Sequence, residues 1–498
     1  MKIFSAPQIR RIDALTMERE PISSLDLMER AAGVCTSWIC SRFDTGVKTF
    51  VFCGPGNNGG DGLAIARMLR FRGYPVEVWM PGISGHLSAD CQANLDRLPP
   101  EILHRAKDDS QLPLPQKGDL VLDALFGTGL TQPPSGLAAR AIEQINQCGA
   151  TVVSVDIPSG MFPDRHPGQH PVVRADHTLS LETWKISFLM PGTGDWAGSV
   201  HILPLGLDPK ALQEIPTPFY LTGPEDISRL LAPRPLFSHK GNFGHVLLLC
   251  GSYGKMGAAV LAARACLRSG AGLVTCMVPE KGYAVIQTAV PEAMCITYVP
   301  GQENFLSPEE LEKYTAIGIG PGLGESPEAA RLVHLVLENS RPLVIDADGL
   351  NLVARHPEWM KDIPQGSILT PHPGEFERLF GKAPDPFARL ELLQRQSVQH
   401  RLHILLKGRY TAIACPDGRC FFNPTGNPGM ATGGTGDALT GILSGLLAQG
   451  YSPEHATILG VYLHGLAGDF AAASLSEPSM LASDLIENLG EAFKSFNN

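Results

Sequence analysis

The sequence predicts an α/β fold in two domains, and three observations support this prediction. The chain has 498 residues, which is too many for one ordinary hydrophobic core. Short apolar segments alternate with stretches of helical periodicity, a pattern typical of a mainly parallel sheet with helices on both faces. Between positions 207 and 235 prolines are frequent and no periodic apolar pattern persists. We therefore expect domains at residues 1–215 and 225–498, joined by a linker with a short helix near 226–231.

Each predicted domain has its own series of strands. In the first half, strand-like segments lie at 48–53, 76–80, 120–124, 151–155 and 200–204, with a helical segment at 63–72. After the linker the series restarts, with strands at 245–250, 273–278, 316–319, 343–345, 367–369 and 403–406 and a helix at 258–270. In each domain we expect the loops after the strands to meet at the carboxyl edge of the sheet, where open α/β folds bind ligands.

Composition excludes several classes of protein. The chain is 44% hydrophobic and 18% charged, with a net charge of −10 and no block of basic residues, so we expect neither nucleic acid nor a membrane as a partner. The eleven cysteines are unevenly spaced and form no CxxC pair or zinc-type Cys/His cluster, which favours a reduced protein over a disulfide framework or metal site. No signal peptide and no apolar segment of membrane-spanning length is recognised. We expect a cytoplasmic homo-oligomer that acts on small molecules.

The first candidate site is the glycine-rich segment GPGNNGGDG at positions 54–62, between a strand and a helix. Such a loop lets the backbone approach a phosphate, and the following helix offers free N–H groups. The spacing is neither GxGxxG nor GxxxxGK[ST], which weakens the case for an ordinary dehydrogenase or P-loop enzyme. A merely structural strand–helix turn is the alternative, but two asparagines and an aspartate are poor choices for it.

Two further polar loops follow neighbouring strands of the first domain. FGTGLTQP occupies 126–133 and DIPSG occupies 156–160. Together with the first loop they would form one pocket. Asn58, Asp123 and Ser159 supply hard oxygen ligands that suit an alkali or hard divalent cation. For Asp123 and Asp156, helix capping or turn formation is the alternative.

The motifs GPGNNGGDG, DALFGTGL and DIPSG, in this order, closely resemble the NAD(P)H-hydrate epimerase family over most of residues 1–215. The resemblance implies a Rossmann-like three-layer α/β domain that interconverts the R and S epimers at C6 of hydrated NADH or NADPH. It implies a K⁺ ion held by Asn58, Asp123 and Ser159. It also implies that the substrate is held by Asp156 and by Asn57, Asn58, Gly59, Gly60, Asp61, Gly127, Thr128, Gly129, Leu130, Thr131, Gln132 and Pro133.

Epimerisation at C6 requires reversible ring opening or loss of the hydroxyl, and a carboxylate beside the carbon can act as acid and base. We assign this role to Asp156, with Asp123 tied to the cation. Lys185 is either a contact to the substrate or phosphate or an ordinary surface lysine.

The second candidate site is NPGMATGGTGD at positions 427–437, followed by a helical segment at 438–450. A GxGD sequence at a helix start gives backbone donors for phosphate beside one carboxylate, Asp437. That carboxylate can take a proton from a hydroxyl that attacks a phosphoryl group. The alternative is a glycine-rich helix start capped by an aspartate.

Five other strand-end loops of the second domain have the composition of a nucleotide pocket. They are GSYGKMGAA at 251–259, GPGLG at 320–324, VIDADG at 344–349, TPHPGEF at 370–376 and LLKGRYT at 405–411. Alone, His372 in the fourth loop would be interpreted as a structural histidine, but this setting favours a ligand contact.

Together these motifs resemble the ribokinase-like superfamily, and specifically its NAD(P)H-hydrate dehydratase branch, over most of residues 230–495. The resemblance implies a ribokinase-like α/β domain that phosphorylates the C6 hydroxyl of the S epimer and eliminates phosphate to regenerate NAD(P)H. It implies Mg²⁺, and ADP rather than ATP as co-substrate. Asp437 would be the catalytic base. The substrate positions are Ala258, Gly322, His372 and Asp437, and the nucleotide positions are Lys407, Gly408, Arg409, Tyr410, Thr411 and Gly436.

Two alternatives stay open from the sequence. The second domain could be a plain kinase that phosphorylates a small alcohol, such as a vitamin precursor, and retains the product. The first domain could be a nucleotide-binding or scaffolding module without activity.

Overall fold

The computed structural model describes residues 1–82, 86–299, 306–338 and 341–496. The chain divides into two compact units, Lys2–Thr217 and a second that contains Met1 and Pro218 to the C-terminus. Both units are built on mainly parallel sheets with helices, which confirms the predicted α/β class.

The N-terminal unit contains a seven-stranded, fully parallel sheet with the order β4-β3-β2-β5-β6-β7-β8. The unit also contains β1 (Lys2–Ile3), which is not part of this sheet. The seven strands of the sheet are β2 (Thr49–Cys53), β3 (Val76–Trp79), β4 (Leu103–His104), β5 (Leu120–Ala124), β6 (Thr151–Val155), β7 (His177–Leu181) and β8 (Ser199–Leu203). Its helices are α1 (Ala6–Arg19), α2 (Ser24–Cys40), α3 (Asn57–Phe71), α4 (Ala89–Asp96), α5 (Gly136–Gln147), α6 (Ile186–Leu189), α7 (Thr193–Trp196) and α8 (Pro209–Glu214).

The side chains of β2 point alternately to the two faces of the sheet, and this explains why the unit has three layers. Val51 and Cys53 pack into a buried cluster with α2 and α3, whereas Phe50 and Phe52 pack into another with α5. Because successive side chains of a strand point to opposite faces, a fully apolar strand requires helices on both sides.

The C-terminal unit contains a sheet in which ten strands lie side by side in the order β9-β18-β17-β16-β15-β14-β13-β10-β11-β12. The pairs from β12 to β16 are parallel, whereas β16, β17 and β18 pair antiparallel. The strands are β9 (Phe219–Leu221), β10 (His245–Leu249), β11 (Leu273–Pro279), β12 (Met294–Tyr298), β13 (Ala316–Ile319), β14 (Leu343–Ile345), β15 (Ile368–Leu369), β16 (His403–Leu406), β17 (Ala412–Ala414) and β18 (Cys420–Phe422).

The helices of this unit pack into buried clusters with the sheet, in which α17, α18 and α19 contact strands β14 to β17 and α10 contacts β10 and β11. They are α9 (Pro224–Leu230), α10 (Met256–Arg268), α11 (Tyr283–Ala289), α12 (Pro308–Leu311), α13 (Pro327–Leu337), α14 (Ala347–Arg355), α15 (Pro373–Phe380), α16 (Pro386–His400), α17 (Thr435–Ala448), α18 (Pro453–Leu475) and α19 (Ala482–Lys494).

The sequence prediction missed several features. The segment 207–235 contains helix α8 and strand β9 in addition to the expected short helix, observed as α9. Neither was recognised because a six-residue helix and a three-residue strand are too short to show a period. By length and composition alone, one helix of the described residues, α18 with a mean hydropathy of 1.3, could cross a membrane, but 61% of that stretch is buried, and a core helix passes the same test.

Candidate active sites

A cavity of about 650 Å³ lies in the N-terminal unit, where the loops after β2, β5 and β6 meet. It brings together most of the substrate positions predicted from the sequence. Those that line it are Asn57, Asn58, Asp61, Gly127, Thr128, Gly129, Leu130, Thr131, Gln132, Pro133 and Asp156. The size suits a small-molecule ligand.

The remaining two glycines predicted as substrate contacts, Gly59 and Gly60, do not line this cavity. A Cβ on Gly59 would lie 1.9 Å from the Gly54 carbonyl oxygen, and one on Gly60 would lie 2.7 Å from the Met28 sulfur. Glycine is therefore required at position 59, where a side chain would strike backbone, whereas at position 60 a side chain would have to displace the end of Met28. This close packing in turn places Asn57 and Asn58 at the cavity.

Asp156 lies directly after β6 with a positive φ of 67°, an uncommon conformation for a residue with a side chain. Lys185 Nζ donates to Asp156 Oδ1 at 2.7 Å and to the Ser180 hydroxyl at 2.7 Å. The Lys185 side chain is 0% exposed, so Lys185 is not a surface lysine. It lies behind Asp156 and fixes the position of the carboxylate in the cavity.

Acidic side chains that the sequence analysis did not single out, Asp13 and Glu182, also line the cavity. Burial raises the pKa of Asp13 to about 6, with the charges of Asp156 and Glu182 adding to the effect and Lys185 opposing it. Burial also raises the pKa of Asp61, with Asp156 and Asp13 contributing. Burial and the neighbouring carboxylates thus both favour the protonated forms of Asp13 and Asp61. Asp13 belongs to no motif, and only the packing of α1 brings it here.

The three residues predicted as cation ligands differ in whether their polar side-chain atoms already have hydrogen-bond partners. The amide oxygen and nitrogen of Asn58 are buried and have no hydrogen-bond partner among the described residues. Asp123 is buried, and its carboxylate accepts from the Ser154 hydroxyl and Ser159 N–H, each at 2.8 Å, and from Leu125 N–H at 3.3 Å. Burial raises the pKa of Asp123 even so.

The hydroxyl of Ser159 lies against the backbone of Phe126. It accepts from Phe126 N–H at 2.8 Å and donates to Phe126 O at 3.2 Å. A Cβ on the next residue, Gly127, would lie 3.4 Å from Asn58 Oδ1. The unpartnered oxygen of Asn58 thus lies beside the loop that Ser159 and Asp123 hold in place.

The C-terminal site is built on two helices, α10 and α17, that run side by side in the same direction. The close packing of α17 against α10 depends on two glycines of α17. A Cβ on Gly441 would lie 2.1 Å from Ala262 O, and one on Gly445 would lie 2.9 Å from Cys266 O. Both helix N-termini, with their free N–H groups, therefore lie at the same end. There a Cβ on Gly322 would lie 2.9 Å from Ala258 Cβ, so these two predicted substrate positions are adjacent.

Asp437 is the third residue of α17, which begins after Gly434. Burial raises the pKa of Asp437 to about 6, with Asp346 adding to the effect and Lys407 opposing it. Lys407 Nζ donates to Asp346 Oδ1 at 2.6 Å, and the Thr440 hydroxyl donates to the other oxygen at 2.8 Å. A Cβ on Gly436 would lie 3.3 Å from Lys407 Nζ. The predicted base therefore lies beside two of the predicted nucleotide positions.

A third carboxylate, that of Asp348, also acts on Asp437 by raising its pKa. Its Oδ2 accepts from Gly324 N–H at 2.8 Å and lies 3.2 Å from Lys255 Nζ. The DADGL motif was recognised in the sequence, but the individual roles of Asp346 and Asp348 were not. Three carboxylates and two lysines face one another at this end of the sheet.

His372 has a different setting. Its Nδ1 accepts from the N–H groups of Gly374 and Glu375 at 3.0 and 3.3 Å, which makes it the N-cap of α15. Among the described residues it makes no hydrogen bond to Asp437 or Lys407. The Nδ1 edge of the ring therefore has a structural role. The other ring nitrogen, Nε2, belongs to a half-exposed side chain and lies 3.5 Å from Glu375 Oε1.

The remaining predicted nucleotide residues form a tight turn after β16. The Thr411 hydroxyl donates to Gly408 O at 3.2 Å. Arg409 donates to the carbonyl oxygens of Pro424 and Gly426 at 3.0 and 2.9 Å, and its guanidinium lies 4.7 Å from the centre of the Tyr410 ring. The turn is thereby tied to the loop that leads into α17.

Helix α18 supports that same loop and the start of α17, which the sequence did not reveal. His464 is buried, and its Nε2 lies 2.9 Å from Thr435 O. Burial lowers the pKa of His464 to about 4, so the neutral ring donates this hydrogen bond. Asp469 accepts from Gly426 N–H and from the Asn427 amide at 3.0 and 2.9 Å.

The fold and the two sites define a fused enzyme with two separate α/β units. A family model described as YjeF-related protein N-terminus matches residues 24–187, and one described as NAD(P)H-hydrate dehydratase matches residues 246–491.

Curated relatives match nearly the whole chain. The bifunctional NAD(P)H-hydrate repair enzyme of Moorella thermoacetica is 35% identical, over 98% of this chain and 96% of its own length. That of Escherichia coli K12 is 34% identical, over 98% and 93%. A solved ribokinase-like superfamily protein from Enterococcus faecalis V583 is 32% identical with a TM-score of 0.51, covering 57% of this chain and 98% of its own.

The chain belongs to the family of bifunctional NAD(P)H-hydrate repair enzymes. Both resemblances noted in the sequence are thereby confirmed, as is the ribokinase-like fold of the C-terminal unit. The plain-kinase alternative is not favoured.

Proposed function

We propose that this chain repairs hydrated NADH and NADPH in two steps, with an epimerase in residues 1–215 and a nucleotide-driven dehydratase in residues 225–498. The epimerase interconverts the R and S forms at C6. The dehydratase phosphorylates the C6 hydroxyl of the S form with ADP as donor and eliminates phosphate, which leaves NAD(P)H and AMP. The observation that carries the proposal is the presence, in one chain of this family, of two strand-end sites that each contain carboxyl groups with raised pKa values, Asp13 and Asp61 in the N-terminal cavity and Asp437 in the C-terminal site.

In the N-terminal cavity, Asp156 is oriented by buried Lys185 and takes the proton of the C6 hydroxyl as the ring C–N bond opens. Asp13, which burial keeps protonated below a pH of about 6, supplies a proton to the departing ring nitrogen. Reversal of both transfers, with attack on the other face of the new carbonyl carbon, closes the ring as the opposite epimer.

A potassium ion beside this cavity would be held by the oxygens of Asn58, Asp123 and Ser159, and the Asp123 carboxylate also accepts from Ser159 N–H. The fit rests on the buried Asn58 amide oxygen, which has no other partner in the described residues. The hard oxygen donors suit this ion, and it would supply positive charge near a bound phosphate.

At the C-terminal site, Asp437 removes the proton of the C6 hydroxyl, and Lys407 with the N–H groups at the start of α17 binds the phosphates of the nucleotide. Mg²⁺ would be held by the carboxylate of Asp348 together with phosphate oxygens, since it binds through one or two carboxylates and phosphate, and Asp437 would stay free to act as the base. When bound, it would neutralise charge on the phosphates. Predicted substrate contacts at Ala258, Gly322 and His372 belong to this proposal.

The test is to incubate the full-length protein with hydrated NADH and either ADP or ATP and to follow the return of reduced-nicotinamide absorbance. We expect absorbance to return, faster with ADP. A phosphorylated product that accumulates without any absorbance would instead support the kinase alternative. A homo-oligomeric, cytoplasmic protein remains the expectation from the sequence.

A further inference from the structure

Three potential metal ligands meet in the C-terminal unit, at the sheet edge opposite the active site. His403 is the first residue of β16, whose other end leads to Lys407, and Cys415 follows β17, the antiparallel partner of β16. Glu454 is in the first turn of α18. The imidazole nitrogen, the thiol sulfur and a carboxylate oxygen of these residues all lie within 4.8 Å of one another.

His403 provides an independent sign that a ligand belongs here. The residue is 6% exposed, and its Nδ1 is buried without a hydrogen-bond partner among the described residues. Histidine binds metals through the lone pair of a ring nitrogen that carries no proton. A buried polar nitrogen without a partner is destabilising unless something occupies its lone-pair direction.

Cys415 and Glu454 supply the negative charge that a divalent cation needs. Burial raises the pKa of the Cys415 thiol to about 12, with Glu454 and Asp417 adding to the effect and Arg419 opposing it. A bound cation reverses this preference, because it stabilises thiolate and carboxylate together and the thiol proton is released to solvent. Glu454 is 26% exposed, which gives an ion a path from solvent, and its Oε2 accepts from Arg419 at 2.6 Å.

We propose that His403 Nδ1, Cys415 Sγ and the Glu454 carboxylate form a site for a thiophilic divalent cation of the Zn²⁺ type. Imidazole and thiolate ligands select such an ion over Mg²⁺ or K⁺. Tetrahedral zinc, with bonds of about 2.0 Å to nitrogen and about 2.3 Å to sulfur, requires donor atoms roughly 3.5 Å apart. The three donor atoms lie within 4.8 Å of one another, so the site would require them to draw together around the ion, with water as the fourth ligand.

The ion would join the β16–β17 hairpin to the start of α18. These elements carry Lys407 and His464, both of which position groups at the dehydratase site. The site is thus structural, and its effect on the active site passes through the backbone of β16 and α18.

The spacing of these three residues in the chain contains no zinc motif, which is why the sequence analysis favoured a protein without a metal cluster. Antiparallel pairing of β16 with β17, followed by the packing of α18, brings them together.

The test uses Co²⁺ as a spectroscopic probe of full-length protein that has first been stripped with a chelator. We expect one equivalent of Co²⁺ to produce a thiolate-to-cobalt charge-transfer band and Zn²⁺ to displace it. Carboxylate sites elsewhere bind Co²⁺ without such a band, so the band reports a thiolate ligand, and cysteine variants identify which thiol supplies it.

Cys276→Ser is the matched control for Cys415→Ser. Both thiols are buried, and burial raises the pKa of each to about 12, but Cys276 has no neighbouring histidine and carboxylate in the described structure. The band should persist in Cys276→Ser and disappear in Cys415→Ser. Glu454→Gln, at a partly exposed position, should keep the fold and weaken binding at least tenfold.

Absence of the band in the wild-type protein, or its persistence in Cys415→Ser, would overturn the proposal. If Cys415→Ser does not fold, His403→Gln and Glu454→Gln decide the matter, because unchanged Co²⁺ affinity in both variants contradicts the site. Zn²⁺ should also raise the melting temperature of the wild-type protein but not that of Glu454→Gln.

Discussion

Each candidate active site contains a lysine–aspartate pair at the end of a parallel strand, and the two pairs are inverted with respect to solvent. In the N-terminal unit, Lys185 is 0% exposed and Asp156 is 14% exposed, at 2.7 Å. In the C-terminal unit, Asp346 is 2% exposed and Lys407 is 23% exposed, at 2.6 Å. In each pair the more buried member holds the other in place.

This inversion determines which charge faces the ligand. Presenting a carboxylate to a cavity suits the transfer of protons at a carbon centre. Presenting an ammonium beside Gly436 and the start of α17 suits binding of phosphate. Under the proposed function, the same kind of ion pair would serve two different steps of one repair reaction, according to which partner is buried.

The largest expected effect is the loss of one activity without the other. We expect Asp437→Asn to lower kcat of the dehydratase by about 10²- to 10⁴-fold, since a positioned base contributes that much, and to leave epimerisation unchanged. Dehydratase activity is measured as recovery of NADH from the pure S hydrate. Epimerase activity is measured by following the interconversion of the two epimers by chromatography. A loss of both activities would show that the two sites are not independent.

The free energies of unfolding of variants should show directly that the buried partner is the lysine in one pair and the aspartate in the other. Asp156→Asn leaves buried Lys185 without its partner, which costs roughly 3–5 kcal/mol, whereas Lys185→Met leaves the more exposed Asp156 and should cost less than half of that. In the C-terminal pair the order should reverse, with Lys407→Met more destabilising than Asp346→Asn. Denaturant unfolding of the four variants gives the comparison, and the same order in both pairs would contradict it.

Dependence on pH should also be opposite in the two sites. Asp437 acts as a base with a pKa of about 6, so dehydratase kcat/KM should rise as pH increases through 6. Asp13 acts as an acid with a pKa of about 6, so epimerase kcat/KM should fall over the same range. Profiles that rise together would remove Asp13 from the mechanism.

The same raised pKa values affect stability in the opposite sense to an ordinary carboxylate salt bridge. Between about pH 4 and 6 the folded chain retains protons that the unfolded chain has released, so this contribution to the free energy of unfolding falls as pH rises.

The smallest effect concerns the cation. We expect epimerase activity to increase several-fold with KCl at constant ionic strength, and this dependence to be lost in Asn58→Ala. Asn94→Ala is the matched control, because Asn94 is also buried with an unpartnered amide oxygen but does not line the cavity. Equal KCl dependence in both variants would exclude Asn58 as a ligand.

The sequence predicted those features that depend on local pattern. Alternating strands and helices indicated the α/β class, and the glycine loops indicated the sheet edges where Asp156 and Asp437 lie. It did not reveal burial, which depends on packing between distant segments. Lys185 therefore could not be distinguished from a surface lysine, and Asp13 on α1 was missed altogether.

Glycines were a second source of ambiguity. Gly59 and Gly60 belong to a motif predicted to bind a ligand, yet neither lines the cavity, and at position 59 close packing of α3 on the backbone requires glycine. A motif does not separate residues that contact a ligand from residues that place the neighbours which do.

The central claim, two independent steps on one damaged cofactor, is tested most directly by complementation. A mixture of R and S hydrated NADH is supplied with ADP and with Asp156→Asn, Asp437→Asn or both variants together. We expect Asp156→Asn alone to recover only the S share beyond spontaneous epimerisation, Asp437→Asn to recover almost none, and the mixture to recover all of the NADH. Failure of the mixed variants to exceed Asp156→Asn alone would contradict the account.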